Sequence, residues 1–285
     1  MSSLKTILFL VCAWMSISVQ AQEFTQTINK EITLRSNLDT HTLTVHNVQG
    51  SVEIEGYEGT AIVLEVEKVI KASDKAQIEM GRKDVDVKVL ENPGNTVVYL
   101  LSPYAHFNEQ TNSFSYNNNN PESKYDYQLN YKIKVPKQIS LKITGLVSEF
   151  TSVRNMESKK ISVDHMFQGP ISLENITGQT KAFTQQGDIK VSYKTNPTES
   201  CTYNTQTGKI DINYQENLSA VLSFDIDGGK AYSLFKSNET AMKVIPGGEQ
   251  ESFFQLDPNK AMHIGQGGPT LTFWNGGGNV IIRKH

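Results

Sequence analysis

Cysteine is scarce in this chain of 285 residues, which has only Cys12 and Cys201. Cys12 lies in an apolar N-terminal stretch that reads as removable, so Cys201 stands alone and no intramolecular disulfide is available. Stability must then come from burial and backbone hydrogen bonding, with Cys201 expected as a small buried hydrophobe. Long apolar runs are missing after the N-terminus, and no later run approaches the ~20 residues that a membrane-crossing helix needs. Runs of Lys and Arg are missing too. With 27 basic and 30 acidic residues, the net charge is -3. That balance argues against general binding to nucleic acid or to anionic membrane surfaces. Helical periodicity is nearly absent. Its one candidate is Ser73 to Met80, where Ala72, Ala76 and Met80 share an i, i+4 face and Ser73 or Asp74 can serve as the cap.

Recognisable chemistry is equally sparse. There is no Gly-x-Ser-x-Gly elbow, no His-Glu-x-x-His, no phosphate loop and no dinucleotide fingerprint. His41, His46, His106, His165, His263 and His285 are scattered. The only close pair, His41 and His46, has no neighbouring cysteine and is expected at the surface or a strand edge, since a closed zinc site needs more ligands. Glycoside cleavage requires two acids at a defined gap, and Asp188, Asp211, Asp225 and Asp227 are the candidates. Asp225-x-Asp227-Gly228 lacks the later Glu of a calcium loop. Solvated strand-face carboxylates are the expected reading. No cofactor or metal is expected.

What is present begins at the N-terminus. Met1 to Lys5 ends in one positive charge, Thr6 to Met15 is apolar, and Ser16 to Ala21 closes with compact residues at -3 and -1. This is the three-part pattern of a cleaved secretory signal, with the cut expected after Ala21. Residues 22–285 are then expected as one elongated domain in the periplasm, on the cell surface or secreted, with no transmembrane span.

Alternation of apolar and polar residues dominates the rest. It appears in Val52-Glu53-Ile54-Glu55, in Ile62 to Val69, in Val85 to Val89 and in Tyr131 to Val135. Period two marks strands with one buried face. A repeat overlies it. Thr184-Gln185-Gln186-Gly187-Asp188-Ile189-Lys190-Val191 aligns with Thr205-Gln206-Thr207-Gly208-Lys209-Ile210-Asp211-Ile212 at an offset of 21, and the next step falls on Gly229. Asp188 and Asp211 are 23 apart and so fall out of this register. One glycine turn before each β phrase predicts stacked units that bury a shared core, a parallel β-solenoid with repeats of about 20 residues. An antiparallel β-sandwich is the alternative. Ile189, Val191, Ile210 and Ile212 are expected to point inward, and Lys190, Ser192, Asp211 and Asn213 outward. The segment from about 239 to 285 is expected to cap the stack.

The phrases Asn47-Val48-Gln49-Gly50-Ser51-Val52, Val135-Pro136 with Leu141-Lys142-Ile143, Gly169-Pro170-Ile171 and Thr205-Gln206-Thr207-Gly208-Lys209-Ile210 resemble the bacterial putative-adhesin family of β-strand-repeat proteins. The resemblance extends roughly from Thr42 to Lys284. It implies an exported right-handed β-solenoid, and fold alone does not fix function. The chain departs from that pattern between Ser102 and Asp126, which reads as an enlarged loop holding Asn117 to Asn120 and Pro121. Tyr104, Phe107, Phe114, Tyr116, Tyr125 and, just past it, Tyr127 gather there among Asn, Ser and Gln, a composition used by adaptable binding surfaces. The other reading is a hairpin insertion whose flanking tyrosines pack in the sheet. The expected function is a non-enzymatic binding or scaffold module for an envelope protein or glycan. A carbohydrate-active enzyme and a passive structural or stress-related envelope protein are the alternatives.

Overall fold

The computed structural model describes residues 22–35, 37–111, 113–116, 124–237, 243–246 and 249–285. The expected signal segment and the Asn117–Pro121 run lie outside them. The chain opens with strands β1 (Gln22–Thr33), β2 (Thr42–Tyr57) and β3 (Ala61–Ala72), then helix α1 (Lys75–Asp84). β4 (Asp86–Asn92), β5 (Asn95–Leu101), β6 (Ala105–Asn108), β7 (Ser113–Tyr116), β8 (Asp126–Pro136) and β9 (Ser140–Arg154) follow. Shorter strands come next: β10 (Lys160–Gln168), β11 (Ile171–Ile176), β12 (Gln179–Gln186), β13 (Ile189–Tyr193), β14 (Cys201–Thr207) and β15 (Ile210–Tyr214). The last are β16 (Ala220–Ile226), β17 (Ala231–Ser233), β18 (Lys243–Val244), β19 (Phe253–Leu256), β20 (Met262–Ile264), β21 (Thr270–Asn275) and β22 (Val280–Lys284).

The fold is all-β with one large, mostly parallel sheet, and the hairpin β6–β7 stands apart from it. Its pairings form two ladders that share β2 and β9. One runs β4, β5, β2, β9, β10, β12, β14, β21, β16, β20. The other runs β1, β3, β8, β2, β9, β11, β13, β15, β22, β17, β19, β18. Parallel partners in the middle lie 19 to 21 residues apart in sequence: Leu141 pairs with Ile161, Ile161 with Thr180, and Ile189 with Ile210. Antiparallel strands close the ends of both ladders, which limits the unpaired edges that invite association. The mostly parallel pairing excludes the hairpin-built sandwich.

Ile189, Val191, Ile210 and Ile212 are buried, as their phase requires. Each such side chain contributes on the order of 1.5–3 kcal/mol when fully removed from water. Cys201 is also buried, as a free thiol that accepts from the Thr180 amide at 3.3 Å. Two local expectations are corrected. First, α1 turns Ile78 and Gly81 inward, while Ala76 and Met80 are exposed. Its Asp74 cap accepts from the Gln77 amide at 2.9 Å, and buried Lys68 closes the other end by donating to the Arg82 and Val85 carbonyls. Second, Gly229 does not follow Gly208 in the stack. Ala231 pairs with Val280, and Val280 pairs with Ile210, so the returning β21 and β22 enter between the two coils. The C-terminal segment therefore divides. β18 and β20 cover ladder ends, whereas β21 and β22 lie inside the stack.

The corner between the ladders explains the glycines. A Cβ on Gly187 would lie 2.7 Å from the Gly169 carbonyl, one on Gly208 would lie 2.2 Å from that of Gly187, and one on Gly278 would meet that of Gly208. Beside this column runs a polar one. Thr184 donates to Gly169 O, Thr205 to Gly187 O and Asn275 to Gly208 O, at 2.9–3.0 Å. The chain turns there without leaving those carbonyls unpaired.

Candidate functional site

At this corner β2 leaves the first ladder after pairing with β5 through His46, and joins β8 from Val52 onward. β9 makes the same passage between Val147 and Thr151. A cleft of about 460 Å³ opens along it. One wall is supplied by successive coils: Val48 and Gln49 from β2, Leu146 and Val147 from β9, Met166 and Phe167 from β10. The opposite wall is Tyr104, Tyr116, Tyr125, Asp126 and Tyr127.

The first wall owes its shape to a bulge. The register of β10 shifts between His165 and Gln168 against both of its neighbours, so Met166 and Phe167 bulge out of the ladder. Buried His165 anchors the bend. One ring nitrogen bonds the Gly169 carbonyl at 3.0 Å and the other the Thr151 hydroxyl at 2.8 Å. Phe167 is 52% exposed, Met166 56% and Val147 41%. Three of the seven strongly exposed large apolar side chains among the described residues thus meet on one wall.

The tyrosine wall is rigid at its base. Gly81 of α1 has no side chain, and a Cβ there would come within 2.9 Å of the Tyr125 ring. The Tyr125 hydroxyl donates to Asp84 Oδ2 at 2.9 Å, and burial together with that bond pushes its pKa up. Tyr127 is buried beside Tyr116, and burial pushes its pKa up too. Its hydroxyl is enclosed, with the Tyr116 side chain beside it.

The six aromatic residues singled out from sequence therefore divide. Tyr104, Tyr116, Tyr125 and Tyr127 are brought together on the cleft. Phe107 and Phe114 face elsewhere and pin the β6–β7 hairpin to the sheet. Phe114 stacks on His46 at 5.2 Å and Phe107 on Tyr99 at 4.5 Å. Val147, Met166 and Phe167 escaped the sequence reading. Their signal was two adjacent apolar residues, Met166-Phe167, where strict alternation required one.

The histidines are a correction. His41 and His46 are buried, where a strand edge or surface was expected, and they bond Thr96 and Thr144 respectively. Burial, with Lys142 nearby, lowers the His46 pKa to about 4. Among the described residues no three metal-ligating side chains converge. Of the four aspartates, Asp188 and Asp211 line one open cleft together with Lys190 and Lys209, and Asp225 and Asp227 are not part of it. Asp188, Asp225 and Asp227 are exposed. Asp211 is half-buried in an ion-pair group with Arg283 and Lys209, which also hold Glu249. Those cations hold the Asp211 carboxyl below its ordinary pKa despite its burial. Among the described residues no helix is long and apolar enough to cross a membrane.

No family model and no curated protein matches the chain. Among solved structures it is similar to a putative cell adhesion protein from Clostridium sporogenes ATCC 15579, at 11% identity over 91% of this chain and 100% of that one, with a TM-score of 0.44. It is also similar to a putative adhesin from Bacteroides fragilis NCTC 9343, at 11% identity over 91% and 97%, with a TM-score of 0.39. A third is a putative adhesin from Parabacteroides distasonis ATCC 8503, at 11% identity over 90% and 97%, with a TM-score of 0.32.

Proposed function

We propose that this protein is an exported, non-catalytic binding module of the cell envelope or the secreted fraction, and that it holds its partner in the tyrosine-walled cleft. One observation carries the reading: exposed Val147, Met166 and Phe167 converge on a cleft whose other wall is tyrosine. Clustered exposed apolar side chains mark interaction sites, whereas scattered ones need no explanation. A concave site with a few placed polar groups is the usual form of a ligand pocket. Among the described residues Asp126 is the one carboxylate on the cleft, and hydrolysis of a glycosidic bond asks for two. We read the two parallel ladders as faces of a right-handed solenoid, because parallel crossovers take that hand almost without exception. Export follows from the N-terminal pattern, with cleavage after Ala21 releasing the chain just before β1.

The test is solid-phase retention of the purified protein on immobilised envelope fractions, with glycan and protein fractions kept apart. Both rim side chains are exposed, so the M166S/F167S variant is expected to fold as the parent does. Retention is expected on at least one fraction and is expected to fall about tenfold in the variant, a loss of about 1.4 kcal/mol. Equal retention would remove the cleft from the reading. Retention of neither protein on any fraction would remove the binding function.

A further inference from the structure

The corner that forms the cleft continues past it as a column of uncharged side chains. Gln49 pairs with Val147, Val147 with Gln168, Gln168 with Gln186, and Gln186 with Thr207. Gln49 lines the cleft, and the four that follow are exposed. Neighbouring strands lie ~4.8 Å apart, so the column extends about 19 Å in four steps. That step is close to the advance per ring of an extended β-1,4-linked pyranose chain.

The chemistry along the track is that of a neutral sugar polymer. Tyrosine and phenylalanine rings offer apolar faces to the C–H faces of a pyranose. Each glutamine offers two donors and a carbonyl acceptor, and a threonine hydroxyl offers both roles, which suits ring hydroxyls that donate and accept. Tyr127 lines the cleft as a largely buried ring, its hydroxyl enclosed beside Tyr116. Among the described residues the cleft carries one charge, that of Asp126, and no base. A phosphorylated or sulfated ligand would call for Arg or Lys. An extended peptide adding to a sheet needs a free strand edge. The central members of the column sit on strands paired on both sides.

We propose that the cleft and the glutamine column form one continuous track for a neutral β-linked oligosaccharide. One ring lies among Tyr104, Tyr116 and Phe167, and the following rings bond to Gln168, Gln186 and Thr207. The assignment rests on the cleft being the binding site and names what that site holds.

The experiment is titration calorimetry of the purified protein with β-1,4-linked tetrasaccharides and disaccharides of glucose, mannose, xylose and N-acetylglucosamine, with a sulfated tetrasaccharide as charge control. At least one neutral tetrasaccharide is expected to bind with Kd below about 1 mM and about tenfold more tightly than its disaccharide. The exposed-site variant Q186A/T207A is expected to weaken the tetrasaccharide about fivefold, in line with one or two lost hydrogen bonds, and to leave the disaccharide unchanged. F167S is expected to weaken both. Absence of neutral binding, affinity independent of chain length, or preference for the sulfated control would each overturn the glycan track. If the neutral sugars fail while M166S/F167S still lowers retention on envelope material, the glycan assignment falls and the cleft stands. If that variant is retained as the parent is, both fall.

Discussion

Tyrosine serves opposite purposes in two regions of the stack. In the regular parallel strands Tyr193, Tyr203 and Tyr214 are fully buried. The Tyr193 and Tyr203 hydroxyls are 2.6 Å apart, Tyr214 donates to Tyr203 at 3.2 Å, and the Tyr193 and Tyr214 rings stack at 5.1 Å. Each hydroxyl is satisfied by another, and burial pushes all three pKa values up. At the insertion, Tyr104 and Tyr116 are half-buried and line the cleft. The difference follows from the backbone. Parallel strands in register set Tyr193 against Tyr214, and Tyr203 of the other ladder reaches both hydroxyls. The insertion and the β10 bulge break that register and leave a concave face.

The regular region is broken most severely at its corner. Gly208 has φ +149, and a Cβ there would lie 2.2 Å from the Gly187 carbonyl oxygen, a backbone atom with no freedom to move aside. Gly208→Ala is expected to cost about 3 kcal/mol or more in urea unfolding, through backbone strain and steric overlap together. Gly277→Ala is the matched control. Its Cβ would find nothing nearer than the Gln206 carbonyl at 3.6 Å, and its φ is not positive, so a change within about 0.5 kcal/mol is expected. Similar costs at both positions would show that the glycine column is not what sets the corner.

A smaller effect sharpens the tyrosine contrast itself. Tyr203→Phe removes the hydroxyl shared by Tyr193 and Tyr214, stranding Tyr214 and leaving Tyr193 the weak contact with Cys201 Sγ, at a cost of about 1–3 kcal/mol. Tyr116→Phe takes a hydroxyl from the half-buried wall of the cleft and is expected to shift stability by less than about 0.5 kcal/mol. Calorimetric melting of the two variants measures the difference, and equal shifts would erase the distinction between the regions.

The regular region was the legible one. Period two and the offset of 21 placed Ile189, Val191, Ile210 and Ile212 on the buried face and paired them correctly, because register in a parallel ladder is set by which face is apolar. The same offset misled at Gly229, since a strand returning from 70 positions away leaves no periodic trace in the local sequence. The cleft was half legible. The tyrosines were visible as a cluster between Ser102 and Asp126, but Val147, Met166 and Phe167 reach it only because two other coils stack beside that insertion. Phe107 and Phe114 looked like part of the same surface, and only the fold shows them used up as anchors on His46 and Tyr99.

That anchor provides the smallest test, because it ties the irregular region to the regular one through a group that resists protonation. His46 bonds Thr144 at 2.6 Å, lies under Phe107 and Phe114, and has Lys142 as its charged neighbour from β9. Burial first, and Lys142 second, lower its pKa from 6.5 to about 4. The unfolded chain therefore takes up a proton near pH 6.5 that the folded chain refuses until about pH 4. The contribution to stability is complete above pH 6.5 and is lost as pH falls from there toward 4. Between pH 7 and about pH 5.5 the loss should be about 1 kcal/mol. His46→Phe keeps an aromatic ring against Phe114 and removes the titration, so its unfolding free energy should change less over that interval than that of the parent protein. Parallel pH profiles of the two proteins would mean that protonation of His46 does not loosen the hairpin, and that the two regions are coupled through Phe107 and Tyr99 instead.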